Sequence, residues 1–411
     1  MIPAVVMLLS LGLCIAAALT LWWMLHAWRT PETLQSTRFA EPDGDHQLTF
    51  SLLVPARHEE RVLEHTIKRL LQSRHTNFQI LIIVGHDDPG TAAVAQRMAE
   101  SHPDRVSVVV DDHETKNKPK ALNTALSHCE GDIVGVFDAE DIVHPDLLTH
   151  VDHAFRATGA DVVQGGVQLV NFHSSWYSLR NCLEYFFWFR SRLHLQAQKG
   201  FIPLGGNTVF VRTDVLREAG GWDPGCLAED CDLGVRLSSR GCKVVVAYDS
   251  LLVTREETPG SVRGLFKQRT RWNQGFLQVL RKGDWRRLPS FRQRVLARYT
   301  LSSPFVQAFT GIAIPLGLGI ALFLDVPVSV TLVAFLPVVP TLATLAFEAV
   351  GLHDFGSQYG VRVHVVHYLK LVLGAPLYMV ILAAAAIRAV WRERTGRTDW
   401  ELTRHVGAHL N

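Results

Sequence analysis

The stretch Gln79-Ile80-Leu81-Ile82-Ile83-Val84-Gly85-His86-Asp87-Asp88-Pro89-Gly90 decides the fold. Its first half is a short run of β-branched and apolar residues, the composition of a strand buried on both faces. Its second half is a turn that carries two adjacent carboxylates. The same pattern recurs on either side. Thr49 to Val54 is an apolar run ending at Pro55, Val106 to Val110 ends at Asp111-Asp112, and Ile133 to Phe137 ends at Asp138-Ala139-Glu140-Asp141. Glu60 to Ser73, Thr91 to Glu100 and Lys118 to Ser127 have helical spacing between these runs. Strand–helix alternation of this kind predicts an α/β domain with a mostly parallel sheet and helices on both faces. Ligands of such sheets sit beyond the carboxyl ends of the strands. Asp87, Asp88, Asp138 and Glu140 all fall there.

Outside this core the chain changes character. It has 411 residues, 48% of them hydrophobic, and the apolar excess lies at the two ends. Met1 to Leu25 carries no charged residue, and a helix needs ~20 apolar residues to span a bilayer. Without a basic leader or a small-x-small cleavage site it reads as an anchor and not a signal peptide. Ser303 to Leu324, Val326 to Phe347 and Val365 to Ile387 are three further candidate spans. The net charge of +2 implies no bulk attraction to nucleic acid. Arg281, Lys282, Arg286, Arg287, Arg292, Arg294 and Arg298 cluster before the second span, and Arg29 follows the first. The positive-inside rule places both flanks, and the domain between them, in the cytoplasm. Three later spans would leave the tail outside, yet that tail holds Arg388, Arg392, Arg394, Arg397 and Arg404. A cytoplasmic tail then requires one hydrophobic segment to be re-entrant or interfacial. Pro304, Pro315, Pro327, Pro337, Pro340 and Pro376 provide places to break a helix.

The six cysteines show no short C-x-x-C spacing and are expected to be free thiols in a reducing compartment. Ser174 to Lys199 reads as one long helical stretch, rich in Trp, Tyr and Phe. It fits either a helix covering the sheet or one at the bilayer interface. Trp285 to Arg298 is basic and partly amphipathic, the pattern of a surface-lying helix.

The chemistry-bearing residues come in a fixed series. Val54-Pro55-Ala56-Arg57-His58-Glu59-Glu60 ends the first strand. Asp87-Asp88-Pro89-Gly90-Thr91 follows the second, and Lys118-Pro119-Lys120-Ala121-Leu122-Asn123 opens a helix. Phe137-Asp138-Ala139-Glu140-Asp141 ends the fourth strand, and Gly205-Gly206-Asn207, Gly220-Gly221-Trp222-Asp223 and Ala228-Glu229-Asp230 follow. Gln268-Arg269-Thr270-Arg271-Trp272 closes the series. A helix places 268, 271 and 272 on one face.

This series resembles the membrane-integrated branch of glycosyltransferase family 2, the group of cellulose, chitin and hyaluronan synthases. The resemblance covers about Leu48 to Trp285. It implies a GT-A-type, Rossmann-like, mostly parallel sheet domain inserted between transmembrane helices. The implied division is an anchor over 1–27, a cytoplasmic transferase domain over 48–250, a Q-x-x-R-W region with interfacial helices over 251–300, membrane segments over 301–390 and a basic tail over 391–411. Pro55, Arg57, Glu59, Asp87, Asp88, Lys118, Lys120 and Asp138 would bind the nucleotide. His58 stands where the family has Asn, and Pro89 shifts the family's turn glycine by one. Asp138 and Glu140 correspond to the D-x-D pair that holds Mg²⁺ or Mn²⁺ with diphosphate oxygens. Glu229 and Asp230 match the T-E-D motif, with Ala228 in place of Thr, and Asp230 would be the general base. Gln268, Arg271 and Trp272 would face acceptor and diphosphate.

The implied activity is an inverting, metal-dependent transfer from a nucleotide sugar, foremost a UDP-sugar, to a growing polysaccharide. Addition of a single sugar to a membrane lipid is the alternative, since the same motif serves lipid acceptors. Only about four spans are visible, few for a polysaccharide channel, so a second copy or an accessory subunit could complete one. A non-enzymatic transporter or sugar-nucleotide sensor is a third class. Against it, the spans hold few ionisable residues, Lys370 being the exception, and the base, metal and Gln-x-x-Arg-Trp positions are all filled. The expected location is the cell (inner or plasma) membrane, multi-pass.

Overall fold

The computed structural model describes residues 2–30, 32–33, 37–39, 47–324 and 327–401. The end of the basic tail, with Arg404, lies outside the described residues, as does Val326. The first four strands are β1 (Phe50–Ala56), β2 (Phe78–Gly85), β3 (Val106–Asp111) and β4 (Ile133–Val136). They are followed by β5 (Val162–Gly165), β6 (Val167–Leu169), β7 (Val209–Arg212), β8 (Val244–Ala247) and β9 (Thr254–Glu256). Seven of them form one sheet in the order β3-β2-β1-β4-β7-β5-β8. β1 pairs in parallel with β2 and β4, β2 with β3, and β5 with β8; β7 alone runs antiparallel to its neighbours. β6 and β9 make a separate two-stranded parallel ribbon.

The apolar runs behave as strands buried on both faces. Leu52, Val54, Ile80, Ile82 and Val84 point into one core layer, while Leu53, Leu81 and Ile83 point into the other. This is the period-2 alternation of a pleated strand. β1, β2 and β3 build outward in one direction, and β4 then returns to the other side of β1. The strand order therefore reverses between β1 and β4, and such a reversal opens a crevice beyond the carboxyl ends.

Four segments are long and apolar enough to cross a membrane: Pro3–Trp28, Ser303–Ile320, Val328–Gln358 and Val365–Arg394. Their outward faces keep apolar side chains in the open, with Leu318 62%, Val328 77% and Leu373 76% exposed. So large an apolar surface is expected of lipid-facing helices, not of a water-facing monomer. The third segment is interrupted between Ala334 and Val338, at Pro337. Pro315 and Pro376 lie inside continuous helices.

The aromatic stretch is helical from Ser178 on, over Ser178–Phe187, one π-helical turn Trp188–Leu193, and His194–Gln198, while Ser174 to Tyr177, expected to be helical, form bends and turns ahead of it. Its Leu183 and Phe186 share a buried cluster with Leu352, Phe355 and Leu371 of the C-terminal helices. It thus joins the sheet domain to the candidate spans. The single helix expected over Trp285 to Arg298 is instead two pieces. A 3₁₀ turn over Asp284–Arg287 stops before Pro289, and a new helix, Phe291–Leu301, starts from a Ser290–Gln293 capping box. Proline there removes a donor, and the serine side chain supplies the new start. All six cysteines are free.

Candidate active site

A cavity of about 860 Å³ opens at the β1/β4 reversal and runs toward the candidate spans. β1 delivers Pro55, Arg57 and Glu59 to its wall. His58, between them, has a left-handed backbone with φ 59°. Asn and His are among the side chains that tolerate this region best, which accounts for His where the resemblance led one to expect Asn. The strained turn is held by Asp88. Its carboxylate accepts from the His58 N–H at 2.6 Å and caps the Pro89–Ser101 helix by accepting from the Thr91 N–H at 3.2 Å. Asp87 pairs with Arg57 at 2.9 Å. Neither Asp87 nor Asp88 is part of the cavity wall itself. They orient the β1 turn that is.

The Lys118–Leu126 helix starts at Asn117, whose side chain accepts from the Lys120 N–H. Lys118 enters the cavity, where its ammonium contacts the Asp138 carboxylate and donates to the Gly206 carbonyl at 2.8 Å. Burial by itself would lower the Lys118 pKa, but the negative charges of Asp138, Glu229 and Asp230 outweigh it and hold the group cationic. Lys120 turns away and donates to the Thr115 carbonyl, so of the pair only Lys118 lines the cavity.

Glu229 and Asp230 open the Glu229–Ser239 helix, where the dipole favours carboxylates. Gly206 approaches so closely that a Cβ there would stand 3.1 Å from Asp230 Oδ2. Gly275, on the Val262–Lys282 helix, lies against Ala228; a Cβ there would come within 2.4 Å of the Ala228 Cβ. That close approach brings Gln268, Arg271 and Trp272 onto the same wall as the two carboxylates. Burial raises the Asp230 pKa. Burial, and then the Asp230 charge, push Glu229 up to about 7 against Lys118 and Arg271.

The sign of the Glu229 shift makes a prediction. An acid whose folded pKa exceeds its ordinary 4.5 binds its proton more tightly when folded. Its contribution to stability is full below 4.5 and is lost as pH rises to about 7. Wild type should therefore lose stability across that window relative to Glu229→Gln. Thermal unfolding of both proteins at a series of pH values checks this; parallel curves would refute it.

Four participants escaped the sequence reading. Asp141 accepts from the Asp138 N–H and from Asn207 Nδ2, both at 2.8 Å, and so sets the β4 turn. It is fully buried, and burial together with the Glu256 charge raises its pKa well above the carboxylate range. Asn207 also contacts Glu256. Asp141 was within reach of the sequence, being next to Glu140; Glu256 carries no local signal. Arg269, inside the Gln268–Trp272 motif, faces Glu184 and Asn181 at 2.5 Å each and stacks on Trp272. Arg271 lies over the Trp400 ring at 4.5 Å.

A mostly parallel sheet with carboxylates gathered at its strand-order reversal is the GT-A-type arrangement of glycosyltransferases. The family described as "Glycosyltransferase like family 2" matches residues 46–275, and the chain belongs to it. A β-monoglucosyldiacylglycerol synthase of Synechocystis is 25% identical over 391 residues, covering 87% of this chain and 75% of that protein. A poly-β-1,6-N-acetyl-D-glucosamine synthase of Staphylococcus aureus is 27% identical over 235 residues, 56% of this chain and 55% of that one. The chain thus spans only about half the length of that second relative. Among solved structures, a mannosyltransferase of Pyrobaculum calidifontis superposes with a TM-score of 0.64 at 19% identity, over 96% of this chain and 100% of that one. It shares the fold.

Proposed function

We propose that this chain is an inverting, metal-dependent hexosyltransferase that moves a sugar from a nucleotide sugar, foremost a UDP-sugar, to a lipid held in the bilayer. The observation that carries this reading is the continuity of one cavity. Asp138, Glu229 and Asp230 line it at the sheet, and Trp23, Ser303, Glu348 and Met379 of the candidate spans line it at the other end. A lipid can enter such a cavity sideways and present a hydroxyl to the carboxylates. The Synechocystis relative, a glucosyldiacylglycerol synthase by name, supports the same choice.

In this reading Asp230 takes the proton from the acceptor hydroxyl. The oxygen bonds to the anomeric carbon from the face opposite the diphosphate, whose bond to that carbon breaks. Lys118 and Arg271 face the departing charge. Asp138 and Glu140 offer the hard oxygen donors that suit Mg²⁺ or Mn²⁺, and the Lys118 ammonium already beside Asp138 marks a place where positive charge is stabilised. No group of three or more His, Cys, Asp or Glu side chains is poised for a metal among the described residues. Diphosphate oxygens would therefore complete the shell. Such an ion supplies neutralisation of the diphosphate charge. The mannosyltransferase of P. calidifontis was solved with GDP-Man and Mn²⁺.

A growing polysaccharide is the second reading. Trp272 favours it, with a ring on the cavity wall 6.3 Å from Tyr185, an aromatic surface that suits a pyranose. The Staphylococcus relative, a polysaccharide synthase by name, belongs with this reading, which a second copy or accessory subunit would complete. In both, the transferase domain over 48–250 faces the cytoplasm, with the spans in the cell membrane. The deciding measurement is nucleotide release and product mass from protein in nanodiscs, with a panel of UDP-sugars and Mg²⁺ or Mn²⁺. Release only on addition of a lipid, with a one-sugar product, is the expected result. A high-mass ladder without added lipid would establish the second reading.

A further inference from the structure

Of the arginines that line the cavity, Arg192 and Arg271 have no carboxylate partner among the described residues, and Arg192 is the one that lies against the first candidate span. Arg180 pairs with Glu348 at 2.9 Å and Arg269 with Glu184 at 2.5 Å. Arg192 lines the same cavity with no hydrogen bond or ion pair to any described residue. Its guanidinium lies 5.5 Å from the Trp23 ring centre and 5.0 Å from that of Trp188. Trp23 is only 6% exposed, and its Nε1, like Arg192 Nε, is a buried donor without an acceptor. Burial pulls the Arg192 pKa below the ordinary arginine value. Arg192 is part-buried, and a cation partly stripped of water with a buried Nε–H left unpaired and no counter-charge beside it is a costly arrangement. Aromatic faces offset part of that cost, but they accept no hydrogen bond in the guanidinium plane.

The surroundings say what would offset the rest. Trp23 belongs to the first candidate span, and Tyr299 and Ser303, on the same cavity wall, lead into the second. The cavity thus reaches the ends of two candidate spans. The basic cluster from Arg281 to Arg298 precedes the second of them, and such clusters draw anionic lipids to a membrane surface. Arg192 itself sits on the π-helical turn Trp188–Leu193, a distortion that recurs at functional sites. A guanidinium fork matches phosphate oxygens two at a time.

We infer that Arg192, between Trp23 and Trp188, is a subsite for the phosphate of an anionic acceptor lipid. The proposal rests on the lipid-acceptor reading and narrows it from lipids in general to those carrying a phosphodiester beside the free hydroxyl. Arg192 is a specificity residue in this scheme, and Asp230 remains the base.

The test uses full-length protein in phosphatidylcholine nanodiscs that contain either diacylglycerol or phosphatidylglycerol of matched chains. Both lipids offer a hydroxyl, and only one offers an anionic phosphate beside it. Arg192→Gln should raise KM for phosphatidylglycerol, relative to diacylglycerol, by about tenfold or more, with kcat little changed. Arg192→Lys, which keeps the charge without the fork, should recover part of the difference. Native mass spectrometry should show phosphatidylglycerol retained by wild type and lost from Arg192→Gln. Thermal unfolding reports on folding, and a fall in UDP affinity for a folded Arg192→Lys would place the phosphate on the nucleotide and overturn the inference. Stimulation of diacylglycerol transfer by inorganic phosphate, absent in Arg192→Gln, would overturn the lipid assignment. Equal transfer to both lipids by wild type and variant removes the subsite and leaves the lipid-acceptor reading standing. Glycosylation of neither lipid, with retention still dependent on Arg192, keeps the subsite and removes that reading.

Discussion

Asp230→Asn is expected to lower sugar transfer by about 10²–10⁴-fold, the range for loss of a positioned general base. The amide keeps the size of the side chain and can still accept from the Cys231 N–H, as the carboxylate does at 2.7 Å. It cannot take a proton. Burial makes the contrast sharp, because the carboxylate lies in a cavity wall where water is a poor substitute base. UDP affinity should stay within a few-fold of wild type, since Lys118 and Asp138 are untouched. Steady-state transfer alongside calorimetric UDP binding checks both halves. Transfer within tenfold of wild type would move the base elsewhere, with Glu229 the next candidate.

Arg271→Ala should cost about 10²–10³-fold in kcat, the loss seen when one fixed donor to developing negative charge is removed. Arg271 is held for that task by stacking on Trp400 rather than by a carboxylate, so its donors are not committed to an ion pair among the described residues. Its neighbour Arg269 offers the contrast, being tied to Glu184 and Asn181. Arg271→Lys should rescue only in part, because an ammonium neither stacks as a plane nor presents a fork. Single-turnover rates with saturating donor separate this from weakened binding. A change confined to KM would assign Arg271 to binding alone.

Both variants touch residues legible in the sequence. Asp230 and Arg271 belong to local patterns, and local patterns survive in one dimension. The four parallel runs from Thr49 to Phe137 were readable for the same reason, since burial on both faces demands unbroken apolar residues. The candidate spans were readable because a bilayer imposes length and composition together. The free thiols and the broken third span also followed from short-range signals.

What the sequence could not supply was pairing across distance. That Asp88 also caps a helix and holds the His58 turn could not be read locally, because only the fold brings β1 and β2 side by side. Lys118 and Lys120 differ by two positions, yet the helix start turns one into the cavity and the other to Thr115. Glu256 reaches Asn207 and Asp141 from a separate ribbon. Trp400 reaches Arg271 from the far end of the chain. The sequence by itself determined the class of sheet, the membrane-length helices and the order of the motifs, because each is written in neighbouring residues under one physical constraint. The tertiary structure alone decided which charges are matched and which are left without a partner. Electrostatics and hydrogen bonding act through space, and Arg192 and Arg271 differ from Arg180 and Arg269 only by what the fold does not place beside them.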